Sequence, residues 1–313
     1  MLSVGRHVSV VPTCRLCGAE APLVDSHLIP AFAVRRFMRT SPTGAARSVA
    51  QPNFREQDYL KKPLLCLTCD GDRFGSREKV FAETVDARFE NRTLPASGFP
   101  FAEELRYFVA SVAWRIIVWG LGEREGEMLT SGDHDKLAAA ESALREYLLD
   151  EAPYPEKLVP HLIMAPYFTE GAPTRINELM HSSLGATIES NGENLWVIAF
   201  MSGYVVVLVV ALEEDSFIAW TFNTWLMPGW RIIPGRLTHD KKFWDSIVHF
   251  GEQLELARIP LSEKQAANVA RRVEAVAPEK LRTNPHVFAL YVDYVNRLRQ
   301  QKGDESQPQR EQR

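Results

Sequence analysis

The residues most able to do chemistry in this 313-residue chain are its cysteines, which fall into two Cys-x-x-Cys pairs, Cys14/Cys17 and Cys66/Cys69. A two-residue spacer lets the backbone turn back as a knuckle, so both thiolates of a pair reach one ion. Four thiolates complete the closed tetrahedral shell of a structural zinc site. Between the pairs stands His27, in the phrase Ser26-His27-Leu28-Ile29-Pro30. Imidazole titrates near neutral pH and can take a proton from water, so a general base is one use for it. A packed histidine or an added metal ligand are the others.

Forty-eight residues separate Cys17 from Cys66, far more than a compact zinc ribbon holds, so the loop contains something folded. Pro12 to Gly18 reads as a turn with a glycine after the second cysteine. Leu64 to Asp70 leads from an apolar, strand-like run into a helical pattern. A knuckle first and a helix-borne pair second describe a treble-clef finger. Disulfides or a redox pair are alternative uses of these cysteines. However, Met1 to Val11 lacks a charged segment followed by a continuous apolar one, so a reduced, cytoplasmic setting is expected.

In order and context, Cys14-x-x-Cys17, Ser26-His27-Leu28-Ile29-Pro30 and Cys66-x-x-Cys69 resemble the zinc-stapled branch of the HNH endonucleases, over about residues 12 to 92. The resemblance implies a ββα-metal core that cleaves DNA, with His27 as the base activating water. It also implies a divalent cation, magnesium or manganese, offsetting charge at the scissile phosphate. The chain departs from the family pattern at three places. Ser26 precedes the histidine where an acid is usual, Lys61-Lys62 replace an asparagine, and Asp70 follows the second pair where a histidine is expected. Asp70 is then the candidate oxygen ligand for the second metal. Asp25 shares a strand face with His27. Glu78 lies eight helical residues beyond Asp70, a rise of about 12 Å, which argues against both carboxylates holding one ion unless Gly71 and Gly75 break the helix.

The elements around these residues follow from periodicity. Ser76 to Arg92, with Phe81, Val85 and Phe89, is expected to be an amphipathic helix, and Leu94 to Pro100 a linker. Phe101 to Gly120 and Ser131 to Leu149 are the next helices. Ser111, Trp114 and Arg115 on the first of these read as core and surface rather than as a functional box. Valine- and isoleucine-rich runs then predict strands at 158–168, 184–189, 195–201, 204–212 and 217–225, with Asn191-Gly192 and Ser202-Gly203 as hairpin turns. The uncharged stretch Trp196 to Leu212 has nearly the length of a membrane span, but a turn interrupts it and valine dominates it, so a buried hairpin is expected. Helices return at about 239–256, 262–276 and 284–300.

Net charge is −4, yet residues 1 to 62 carry nine Lys/Arg against four acids, a balance suited to phosphates. Nucleotide-cradling glycine loops, a His-Glu-x-x-His motif and a nucleophile elbow are absent from the sequence. The expectation is an α+β protein divided into an HNH-like zinc-binding domain at 1–95, a helical connector at 96–157, a mostly antiparallel sheet-and-helix domain at 158–300 and a disordered tail at 301–313. The expected activity is phosphodiester hydrolysis in nucleic acid, with DNA the expected substrate and a protein partner conceivable for the C-terminal domain. Its residues are His27 and Asp70 for catalysis and Cys14, Cys17, Cys66 and Cys69 for zinc. The rival is a non-catalytic zinc-finger protein that binds nucleic acid or a protein partner. A membrane anchor formed by residues 196 to 212 is the weakest alternative.

Overall fold

A computed structural model of the chain describes residues 11–47, 51–55, 60–91, 93, 95, 97–100, 102–122, 129–164, 176–190, 192, 194–211, 231–232, 247, 249, 251–252 and 259–305. Helix and sheet are mixed, as the sequence predicts. The N-terminal part places strand β1 (Leu23–His27), helix α1 (Ala31–Thr40) and strand β2 (Lys61–Cys66) ahead of a long helical segment. In that segment the π-helical turns Thr68–Gly75 and Ala82–Asp86 alternate with α2 (Ser76–Phe81) and α3 (Ala87–Glu90). The helical pattern read from the second cysteine pair and the helix read from Ser76 are therefore one continuous segment. Gly75 is itself helical, with φ −60° and ψ −38°, and does not break the segment.

Strand β3 (Phe99–Pro100) pairs with β8 (Arg231–Ile232), and between them in the chain lie α4 (Glu103–Gly122), α5 (Ser131–Leu148), β4 (Val159–Met164), α6 (Ile176–Ser182), β5 (Leu184–Ser190), β6 (Leu195–Met201) and β7 (Tyr204–Ala211). Three helices close the described chain: α7 (Glu263–Glu274), α8 (Pro278–Thr283) and α9 (Pro285–Glu305). Helix α9 extends into the stretch that composition alone would leave as a tail. The expected strand at 217–225 and most of the expected helix at 239–256 lie outside the described residues.

Strands β4 to β7 form an antiparallel sheet in the order β4-β7-β6-β5. Side chains alternate strictly across it. Val197, Ala199, Met201, Tyr204, Val206 and Leu208 face one core, whereas Trp196, Ile198, Phe200, Val205, Val207 and Val209 face another. A sheet buried on both faces needs apolar residues at both parities, which accounts for the uncharged run without any membrane. The β6–β7 turn at Ser202-Gly203 has φ +49° and +112°, the left-handed pair that a two-residue hairpin requires. Among the described residues one helix, α4, is long and apolar enough to cross a membrane, and it is mostly buried inside the protein.

The first of the two cores is continuous from the cysteine knuckles to the sheet: Cys14, Leu16, Leu65 and Cys66 belong to the same apolar cluster as Phe81, Phe108, Trp114, Leu144 and Val206. A buried polar node fastens this junction. Arg36 of α1 pairs with Asp86 at 2.9 Å and donates to the Met201 carbonyl, while the Tyr204 hydroxyl donates to Asp86 at 2.9 Å. The Arg36 guanidinium also lies over the rings of Tyr204 and Phe89. Burial raises the Asp86 pKa, and the opposing charge of Arg36 and the Tyr204 hydrogen bond limit the rise.

Candidate metal centre

The first knuckle is made by local hydrogen bonds. Thr13 and Glu20 form an antiparallel bridge, Cys14 N donates to Ala19 O, and Gly18 N donates to Cys14 O, each bond at 2.9 Å. Gly18 has φ +73°, so a side chain there would strain the turn. Arg15 N donates to Leu64 O at 3.0 Å, which ties the knuckle to β2. Strand β2 delivers Cys66, and the first helical turn beyond it delivers Cys69.

The result is one cluster: all four Sγ atoms lie within 4.8 Å of one another, with Cys17 Sγ and Cys66 Sγ 3.9 Å apart. Zinc–sulfur bonds of about 2.3 Å in a tetrahedron put sulfurs about 3.8 Å apart, so the donor set fits a zinc ion. Three of the cysteines are buried and Cys17 is exposed. Burial would raise the Cys14 pKa, yet hydrogen bonds involving the backbones of Cys17, Cys66 and Leu16 bring it down to about 7; the Cys66 N–H donates to Cys14 Sγ at 3.3 Å. Burial, then the neighbouring Cys17 and Cys66 side chains, push Cys69 up. Four thiols crowded this closely ionise together only when a cation neutralises them.

His27 lies at the other end of the two-stranded ladder. Leu23 pairs with Cys66, whereas His27 pairs with Lys61, so four residues, or roughly 13 Å of strand, separate the histidine from the cysteine end. The helical segment travels a similar distance: Glu78 is nine residues beyond Cys69, a rise of roughly 13 Å. Strand and helix converge again at Arg115 of α4. Its Nη1 donates to the His27 carbonyl at 2.7 Å and its Nη2 donates to Glu78 Oε1 at 2.6 Å. The same guanidinium donates from Nε to Ser111 O and lies over the Phe74 ring. Arg115 is only 2% exposed.

Asp70 stands next to Cys69 in the first helical turn, half-buried, at the cysteine end of the helix. Glu78, not Asp70, is therefore the carboxylate held at the His27 end. The unbroken helix keeps Asp70 and Glu78 about two turns apart, as the sequence reading required. Among the described residues, the four cysteines are the one group of three or more potential metal ligands that converge. Arg115 reads from sequence as an ordinary helical residue. Its signal was the single charge in the apolar stretch from Tyr107 to Gly122, since an unpartnered guanidinium is not buried there without cost.

Comparison of the chain with protein-family models, with curated proteins and with solved structures finds no match in any of the three.

Proposed function

We propose that this chain is an HNH-like, metal-dependent endonuclease that hydrolyses phosphodiester bonds in nucleic acid, with DNA the expected substrate. The observation that carries this reading is the joint at Arg115, where His27 and Glu78 meet on one guanidinium at the end of the finger remote from the cysteines. The order of knuckle, antiparallel strand pair and cysteine-bearing helix agrees with a treble clef of the ββα-metal type. Zinc on Cys14, Cys17, Cys66 and Cys69 has a structural role.

In this proposal His27 removes a proton from water as the water oxygen bonds to phosphorus, and the bond from phosphorus to the leaving oxygen breaks. Arg115 is a positioning residue, fixing the backbone at His27 and the carboxylate of Glu78. Bound magnesium or manganese supplies charge neutralisation at the scissile phosphate. Asp70 is the ligand suggested by its place after the second cysteine pair, and Glu78 the one suggested by its nearness to His27.

A second reading, a non-catalytic zinc finger that binds nucleic acid, is favoured by one observation: among the described residues no second group of converging metal ligands surrounds His27. Purified, chelator-free protein incubated with supercoiled DNA, linear DNA and RNA, with magnesium or manganese added, separates the two. Wild type is expected to cut, and His27→Ala to lose cleavage while keeping its zinc and fold. Parallel Asp70→Asn and Glu78→Gln variants identify the carboxylate required. Retardation of nucleic acid without cleavage by any of these proteins would establish the second reading. Neither cleavage nor binding would overturn both.

A further inference from the structure

The loop between the two cysteine pairs is docked against a helix more than two hundred residues away. Arg47 Nη2 donates to Gln265 Oε1 of α7 at 3.2 Å, and Arg47 Nη1 donates to the Pro52 carbonyl at 2.5 Å. Arg272, near the end of α7, donates from Nη1 to the Thr43 carbonyl at 2.9 Å. Ser262, which caps the start of α7, donates its backbone N–H to Asn53 Oδ1 at 2.8 Å. Two residues beyond Asn53 stands the exposed Arg55. Three guanidiniums thus gather over one loop. Burial first, then the like charges of Arg55 and Arg272, lower the Arg47 pKa from its ordinary value.

Residues 31 to 55 hold five arginines and no Asp or Glu, and the next acids along the chain are Glu56 and Asp58. Two of the five are committed elsewhere, Arg36 to Asp86 and Arg39 to Glu90. Helix α7 brings Lys264, Arg271 and Arg272 against Glu263 and Glu274. Phe54, between Asn53 and Arg55, is 69% exposed, an unusual position for a large apolar ring inside a cationic patch. Guanidiniums placed to hold phosphates and an exposed ring placed to stack on a base are together the chemistry of single-stranded nucleic-acid binding.

We infer that residues 41–47 and 51–55 together with helix α7 form a composite surface for an unpaired stretch of nucleic acid, with Arg55 and Arg272 on its phosphates, Arg47 holding the loop to α7, and Phe54 against a base. This inference rests on the nucleic-acid reading above and deepens it, because it gives the C-terminal helices a part in holding substrate. It does not depend on cleavage.

The test uses the full chain carrying His27→Ala, without added divalent ions, and a fluorescein-labelled single-stranded 20-mer followed by anisotropy across a salt series. An Arg55→Ala, Arg272→Ala double variant is expected to lower the slope of log affinity against log salt by about 1.4, because each single-strand phosphate contact contributes about 0.7. Phe54→Ala is expected to weaken the single strand about tenfold and a duplex of the same sequence far less. These substitutions are on exposed side chains; unchanged zinc content and circular dichroism verify that the fold persists. Oligonucleotide binding that both variants leave unaltered would overturn the composite surface while leaving the nuclease reading intact. Failure of the parent chain to bind the 20-mer would also overturn the surface, and the cleavage assay then decides the nuclease reading separately. Tight binding with equal losses on single strand and duplex would remove the stacking role of Phe54.

Discussion

At the scale of single residues, the cysteine cluster yields the most direct expectation. Replacing Cys66 and Cys69 together by serine leaves two thiolates, and elemental analysis is expected to fall from about one zinc per chain to none. Because Leu65 and Cys66 are part of the main core, metal loss is expected to lower the melting temperature as well. A wild-type protein purified without zinc yet fully folded would contradict that.

Two buried histidines set a pH dependence whose sign can be worked out. Burial lowers the pKa of His161 to about 3, and burial with the nearby charges of His181 and Arg36 lowers that of His286 to about 4. The unfolded chain, titrating near 6.5, binds the proton more readily than the native state. Stability is therefore fully present above pH 6.5 and falls as the pH drops toward 4. Between pH 6.5 and 5 each histidine is expected to cost about 2 kcal/mol. Urea denaturation at pH 7 and pH 5 measures this, and His286→Gln should flatten part of the difference despite losing the 2.8 Å contact to Thr40 Oγ1. Arg115 makes a different kind of contribution: Arg115→Met leaves Glu78 and the His27 carbonyl without their donor and is expected to cost about 3 kcal/mol. A double-mutant cycle with Glu78→Gln reads the pairwise part, and a coupling near zero would deny the joint its importance.

At the scale of elements, the β6–β7 turn is where local and tertiary demands coincide. Gly203 has φ +112°, and a Cβ built there would meet Phe89 Cζ at 2.4 Å. Gly203→Ala must therefore distort both the turn and its seat on the helical segment, at an expected cost of about 3 kcal/mol. Gly192 has φ +87° but open space around it, so Gly192→Ala carries the backbone strain alone, about 1 kcal/mol. Equal unfolding midpoints for the two variants would refute the packing of Phe89 against the turn. Helix α5 starts with a local device, the reciprocal capping box of Thr130 and Asp133, to which Ser190 of β5 adds a donor to Asp133 at 3.1 Å. The start of α6 is capped from a distance instead, by the buried Asp293 of α9 accepting from Asn177 and Glu178.

At the scale of the whole molecule, the cysteine finger does not stand on a core of its own. Its buried side chains merge with those of α4, α5 and one sheet face, and the Arg36–Asp86–Tyr204 node crosses the same boundary. A fragment of residues 1 to 95 would expose Phe81, Val85 and Leu65 and strand Arg36 without the Met201 carbonyl. It is expected to lack a cooperative thermal transition even with zinc supplied. A sharp melt for that fragment, followed by circular dichroism, would show that the finger folds independently.

The sequence by itself singled out the four cysteines that the fold gathers into one potential metal-binding cluster, because paired cysteines at a two-residue spacing have few other uses. It also determined the β6–β7 hairpin, because valine alternation and a Ser-Gly turn are local signals. The positions of α4, α5, α7 and α9 were legible from periodicity for the same reason. Tertiary structure alone decided which carboxylate accompanies His27, since that depends on the convergence of strand and helix roughly 13 Å from the cysteines. It alone also decided that Arg115 is a buried joint and that the loop carrying Arg47 docks on the helix carrying Arg272. Spacing along a chain fixes what neighbours in sequence can reach, whereas a guanidinium shared by three elements records how those elements packed.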